Sequence, residues 1–365
     1  MDRRIFLKTG AALPLAFALP RAASAQQSDF NPQPGAWRTF EITTRVEVLK
    51  PAGGAQVWLP VPVIDDLSQK PLGNDWTGNA TAMRIAREDK YGPAIFCAEW
   101  PAGEKTPVVE LTSRFMTRNR AVELGKPDAA IRLDPSLVAF YTAPTELQPT
   151  DGIVRETALA ATKGAKTDVE KAKALYEWVV ENTFRDPKTR GCGVGDIKTM
   201  LETGNLGGKC ADLNALYVGL ARSVGLPARD LYGLRVARSQ FGYRSLGAGS
   251  ENVTRAQHCR AEVFLAGYGW VPVDPADVRK VVLEEKPQPT TLADPLVPPV
   301  RRKLFGAWEM NWLAFNYAHD VALPGAKGAE LAFFMYPQLE TADGRADSLD
   351  PDNFKYTIIA REIKA

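Results

Sequence analysis

The stretch Gly207-Gly208-Lys209-Cys210-Ala211-Asp212-Leu213 decides how the rest of this sequence is read. Residues 209–224 have the strongest helical pattern in the chain, with Leu213, Leu216, Tyr217, Leu220 and Val224 on one face. Gly225 is the expected C-terminal cap, and Pro227 is a stop two residues later. Cys210 therefore stands where a glycine-rich loop enters a helix. The unpaired N–H groups and the dipole at that end favour negative charge. A thiol there is biased toward thiolate, its nucleophilic form, and the same N–H groups can hold an oxyanion on a substrate carbonyl. Taken alone, the segment is equally compatible with a small buried core cysteine.

A cysteine nucleophile needs a base, and the chain has only His258 and His319. His258 precedes an expected strand over residues 260–265. The tight turn Ala266-Gly267-Tyr268 leads from it into a second strand, Gly269-Trp270-Val271-Pro272-Val273, followed by Asp274. The open ends of such a hairpin lie side by side, so Asp274 can orient the His258 imidazole and support its positive charge. Asp274 before Pro275 also reads as an ordinary turn residue. His319, beside Asp320, is the rival base but lacks such a frame.

Three segments together resemble the transglutaminase-like superfamily. Gly208-Lys209-Cys210-Ala211-Asp212, continued by Leu220-Ala221-Arg222-Ser223-Val224-Gly225-Leu226-Pro227-Ala228-Arg229, is similar to its cysteine motif. His258-Cys259-Arg260-Ala261-Glu262 is similar to its histidine motif, and Gly269-Trp270-Val271-Pro272-Val273-Asp274-Pro275 to its aspartate motif. The resemblance implies Cys210 as nucleophile, His258 as base and Asp274 as its orienter. It also implies a papain-like α+β core, with the cysteine helix on an antiparallel sheet. The reaction implied is acyl transfer on a peptide or amide through a thioester, ending in hydrolysis or in crosslinking. A non-catalytic peptide-binding protein on the same fold is the reading from a different class. Arg260 stands where the superfamily often has an aromatic residue, which touches the expected cleft wall but not the triad. Asn205, five residues before Cys210, is the candidate side-chain oxyanion donor, with a role in the glycine-rich turn as the alternative. Asp212 is expected to stabilise the first helical turn.

The flanking sequence divides around this core, which is expected over residues 150–285. Residues 37–145 contain short alternating segments, such as Phe40, Ile42, Thr44, Val46 and Val48, and read as a β-sandwich-like domain. Helices are expected over residues 151–163 and from a cap at Thr167 or Asp168. Six glycines between residues 191 and 208 make a turning connection into Cys210. Residues 284–299 are proline-rich and read as a loop. Residues 300–365 read as a β-rich extension packing back on the core. Trp308 and Trp312 are at helical spacing and read as core residues rather than cleft lining.

The chain has 365 residues, 45% hydrophobic and 24% charged, enough for more than one packed domain. Its net charge of +2 is concentrated in the first 25 residues, leaving the body near −1. That balance gives no electrostatic argument for nucleic acid as a partner, and the resemblance implies a peptide or protein substrate. Arg3-Arg4-Ile5-Phe6-Leu7-Lys8, a short apolar stretch and Ala23-Ser24-Ala25 form a secretory pattern of twin-arginine type. Cleavage is expected near Ala25, giving a periplasmic or secreted protein without a stable membrane anchor. Cys97, Cys192, Cys210 and Cys259 form no C-x-x-C pair, so no zinc or thioredoxin motif is indicated. Gly204 to Cys210 lacks phosphate-loop spacing, and the acidic residues 343–352 lack EF-hand spacing. The chemistry requires no cofactor.

Overall fold

A computed structural model describes residues 29–289 and 291–364; the secretory pattern of residues 1–25 lies outside the described residues. The catalytic core is a four-stranded antiparallel sheet, ordered Gly269–Val273, Gln257–Leu265, Ala228–Arg235, Trp312–Asn316. The cysteine helix Cys210–Ser223 packs on it, and every one of its residues is buried. It is apolar well beyond a single stripe, as a helix enclosed on all sides must be. Leu213, Leu216 and Leu220 are fully buried, and each such leucine contributes roughly 1.5–3 kcal/mol. The helices Gly152–Ala161 and Asp168–Asn182 cover its outer side. Thr167 and Glu170 form the reciprocal cap that starts the second of these.

The β-sandwich differs from the expectation in one respect. Its two sheets are not closed by residues 37–145 alone. One is ordered Lys355–Ile363, Arg38–Glu47, Val108–Thr117, Gln69–Gly78. The other is ordered Gly344–Arg345, Gln338–Thr341, Ala55–Val61, Ala94–Trp100, Ala82–Arg87. Strands from both ends of the sequence thus share each sheet, with Thr39 paired to Ile363 and Ala55 to Thr341. Alternation in Arg38–Glu47 turns Phe40, Ile42 and Val46 inward, as period-two patterning requires. Val57, Leu59, Phe96, Leu111 and Phe354 fill the space between the sheets.

The C-terminal residues expected to pack on the core do so in two ways. Trp312–Asn316 joins the catalytic sheet, whereas Lys355–Ile363 bridges the sandwich to the loop before His258. In that bridge, Val253 N–H donates to Ile358 O at 2.8 Å and Ala360 N–H to Glu251 O at 2.8 Å. Two helices fall where strand or loop was expected, Pro135–Thr142 and Val297–Lys303. Both carry proline in their first turn, where its missing N–H costs nothing. Trp308 and Trp312 lie on short strands rather than a helix, and both are buried. Among the described residues, no helix is long and apolar enough to cross a membrane.

Candidate active site

The cysteine helix brings Cys210 to the floor of a cleft of about 570 Å³, where His258 also lies. Its start is fixed by Asp212, whose carboxylate accepts from Lys209 N–H at 2.9 Å and from Val194 and Gly195 N–H at 2.9 Å each. One side chain therefore caps the helix, as expected, and also ties the 191–195 loop to it. Ala211 N–H is taken by Cys192 O at 2.9 Å. The Cys210 N–H, at the first helical position, makes no hydrogen bond among the described residues.

His258 lies inside its strand rather than before it, since Gln257–Leu265 begins one residue earlier. Its Nε2 is 2.8 Å from Asp274 Oδ2. Asp274 follows the next strand and caps the helix Pro275–Glu284, accepting from Asp277 N–H at 3.0 Å through Oδ1. The hairpin argument thus holds, and the carboxylate is rigid because its second oxygen starts a helix. The main-chain oxygen of His258 accepts from the Trp312 indole N–H at 2.9 Å. Gly233 is paired with His258 across the sheet, and a β-carbon there would lie 2.5 Å from the Trp312 ring. Glycine is needed at that point for the indole to reach the base.

Several groups of the site were not found in the sequence. Asp277 Oδ2 lies 3.4 Å from His258 Nε2, so two carboxylates face one imidazole nitrogen. Asp277 is itself held by Arg235 at 2.5 Å. Asn214, one turn beyond Cys210, donates to Cys259 O at 2.8 Å and reaches Asp274 Oδ1 at 3.4 Å. Its helical spacing of four from Cys210 was the available signal. Arg260 is buried beside Asp274 Oδ2 at 3.5 Å, with its guanidinium over the rings of Trp308 and Trp312. It supports the aspartate from behind rather than forming the cleft wall.

The cysteines converge. The sulfurs of Cys192, Cys210 and Cys259 all lie within 4.8 Å of one another, and all four cysteines of the chain are free thiols. Hydrogen bonds from the Cys192 and Cys259 thiols hold Cys210 well below the usual thiol range; burial opposes this and His258 reinforces it. For His258, burial and the Arg235 charge push its pKa down, but Asp277 and Asp274 outweigh them and raise it to about 9. Both shifts favour a thiolate–imidazolium pair over a neutral thiol and imidazole. Burial pushes Asp274 up and Asp277 repels its charge, whereas Arg235 and His258 overcome burial and hold Asp277 well below the carboxylate range. The trio of sulfurs and the group His258, Asp274 and Asp277 are each compact enough to share an ion. In the second group the carboxylates already serve the imidazole, Arg235 and a helix N-terminus.

Two sequence candidates lie elsewhere. Asn205 is exposed, accepts from Gly207 N–H at 3.3 Å in the turn, and is not on the cleft wall. Its side-chain oxygen serves the turn, and the residue stands off the cleft where an oxyanion would form. His319 is buried away from the cleft, with Asp230 at 3.4 Å and the Tyr232 hydroxyl at 3.3 Å. The acidic residues 343–352, expected in a solvated turn, include Ser348, Leu349 and Pro351 of the cleft wall.

A cysteine at a helix start, a strand-borne histidine and an aspartate after the next strand, on an antiparallel sheet, define the class of cysteine–histidine–aspartate centres. The family model of the transglutaminase-like superfamily matches residues 155–275, which span all but the final neighbours of that centre. A protein of Haemophilus influenzae with no assigned function is 34% identical over 342 residues, covering 89% of this chain and 91% of its own. The chain belongs to the transglutaminase-like superfamily. At 14% identity, a crystal structure of a protein from Cytophaga hutchinsonii, provisionally assigned as a cysteine protease, shares the fold. Its TM-score is 0.53, with 91% of this chain and 92% of that one covered. The periplasmic domain of TgpA from Pseudomonas aeruginosa aligns over 68% of this chain and 90% of its own at 14% identity, but its TM-score of 0.33 carries no argument.

Proposed function

We propose that this protein is a cysteine-dependent hydrolase of peptide or amide bonds, working through a thioester on Cys210. The observation that carries the reading is that Cys210 and His258 line one cleft, with Asp274 Oδ2 2.8 Å behind the imidazole. Cys210 attacks the carbonyl, and its free backbone N–H stabilises the oxyanion. The His258 imidazolium gives its proton to the leaving amine, and the neutral imidazole then activates water against the thioester. Asp274 holds the ring throughout.

The cleft wall favours a substrate with carboxylates. Six arginine and lysine residues line it and no aspartate or glutamate does. Arg185, Arg190 and Arg235 are paired with acids behind the wall, but Lys209 and Arg255 side chains make no ion pair among the described residues. An acidic peptide fits this charge. The amino-terminal basic–apolar–small pattern supports export to the periplasm or beyond.

Crosslinking is the second reading, since an amine in place of water completes acyl transfer from the same thioester. Incubation with peptide amides, with and without a primary amine, followed by mass analysis separates the two. Free acid in both cases supports hydrolysis; an amine adduct in preference to acid supports crosslinking. Unchanged peptide, together with a Cys210→Ala variant that binds peptide as the parent does, would identify a non-catalytic binding protein.

A further inference from the structure

The trio of sulfurs exceeds what acyl transfer requires, since one thiol performs it. We propose that Cys192 is a resolving thiol for Cys210, forming a reversible Cys192–Cys210 disulfide when a peroxide oxidises the nucleophile.

Geometry selects this pair. The Cys192 carbonyl accepts from the amide of Ala211, the residue after Cys210, at 2.9 Å. That bond sets the two backbones side by side, and a disulfide needs its Cα atoms roughly 4.4–6.8 Å apart. The sulfurs already lie within 4.8 Å. The Cys192 thiol donates to Gln257 O at 3.3 Å, beside the Cys210 sulfur. Cys192 is carried on a loop between Gly191 and Gly193, both at positive φ, rather than on a paired strand. Cys259 is placed differently. It lies in the middle of the strand Gln257–Leu265, paired with Tyr232, fully buried and off the cleft wall. Cys192 and Cys210 both line the cleft, so an oxidant reaches them by the substrate's route. Cys97 is buried in the sandwich.

In the first step the Cys210 thiolate attacks one peroxide oxygen. The O–O bond breaks, sulfur loses two electrons to become a sulfenic acid, and the released alkoxide or hydroxide takes a proton. In the second, the Cys192 sulfur attacks the Cys210 sulfur. The S–O bond breaks, and hydroxide leaves with the Cys192 proton as water. A dithiol reverses the product, returning both thiols. The trap protects the nucleophile from irreversible sulfinate formation, and it rests on the reading of Cys210 as an activated thiolate.

The test uses the mature chain, reduced and then treated with hydrogen peroxide, followed by peptide mapping without reductant. The expected result is a Cys192–Cys210 linked peptide, loss of iodoacetamide labelling at Cys210, and its full return with dithiothreitol. In Cys192→Ser, peroxide should carry Cys210 to sulfinate, and labelling should not return. A Cys210–Cys259 link, or reversible protection that persists in Cys192→Ser, overturns the proposal. So does direct sulfinate formation in the parent, while rapid labelling of the reduced protein would leave the nucleophile reading intact. A Cys210 inert to both peroxide and iodoacetamide overturns both.

Discussion

Asp277 Oδ2 lies 3.4 Å from the same His258 nitrogen that Asp274 Oδ2 meets at 2.8 Å. The imidazolium is thus held by two carboxylates, one of them shared with Arg235. Loss of a lone aspartate from such a triad can cost about 10⁴ in kcat. Because Asp277 stays in place, Asp274→Asn should cost less, roughly 10²-fold in kcat, with KM little changed. Asp277→Asn leaves the Arg235 charge buried without its partner, a loss of about 3–5 kcal/mol of stability. Chemical denaturation of the two variants distinguishes these roles.

Alkylation of Cys210 should be fast at neutral pH and half-maximal well below the ~8.5 of an ordinary thiol. The causes are the Cys192 and Cys259 hydrogen bonds and the His258 charge. Cys192→Ala removes the largest of them and should move that midpoint upward. The His258 pKa is raised from 6.5 to about 9, so its contribution to stability is complete below pH 6.5 and is lost as pH rises through 9. Iodoacetamide rates and thermal unfolding across pH 5–10 check both limbs. A midpoint near an ordinary thiol's would sink the ion-pair picture.

Gly193→Ala should disrupt the cleft wall. Gly193 has φ +96°, and a β-carbon there would overlap the Asp212 carboxylate that caps the cysteine helix. The backbone alone costs about 1–2 kcal/mol in that region. Lower thermal stability together with slower alkylation is the expected result.

Trp312→Phe keeps the ring's bulk but removes the N–H that holds His258 O, leaving a buried carbonyl unpaired. The penalty is about 1–3 kcal/mol. Activity should fall further than folding accounts for, measured as kcat at a temperature where both proteins are fully folded.

Arg255→Gln should raise KM for acidic peptides and leave neutral ones unaffected, since this arginine lines the cleft without an ion-pair partner. Salt should weaken acidic substrates in the parent and have less effect in the variant. Equal KM values for acidic and neutral peptides would remove the charge argument.

The positions of Cys210, His258 and Asp274 were legible because each sits at an element boundary with a local signature. A glycine-rich helix entry marks Cys210, and a tight hairpin relates His258 to Asp274. Asp277, Asn214, Cys192 and Trp312 join the site only when separate elements fold together, and no local pattern announces that. Asn205 was misread because proximity in sequence to Cys210 says nothing about direction across a turn. The sandwich was half-legible: alternation marks its strands, but pairing partners more than 300 residues apart leave no trace in either segment. The helices Pro135–Thr142 and Val297–Lys303 were obscured by prolines that break a helix interior but suit its first turn.

The strand Lys355–Ile363 zips onto Arg38–Glu47 and also grips the loop that delivers His258. A nascent polypeptide emerging from the ribosome gains these contacts only after residue 363 has been made. Until then the 38–47 strand offers a naked edge open to stray pairing, and the base lacks the support of its loop. A truncated product ending near residue 350 would carry Cys210, His258 and Asp274 and still lack that strand.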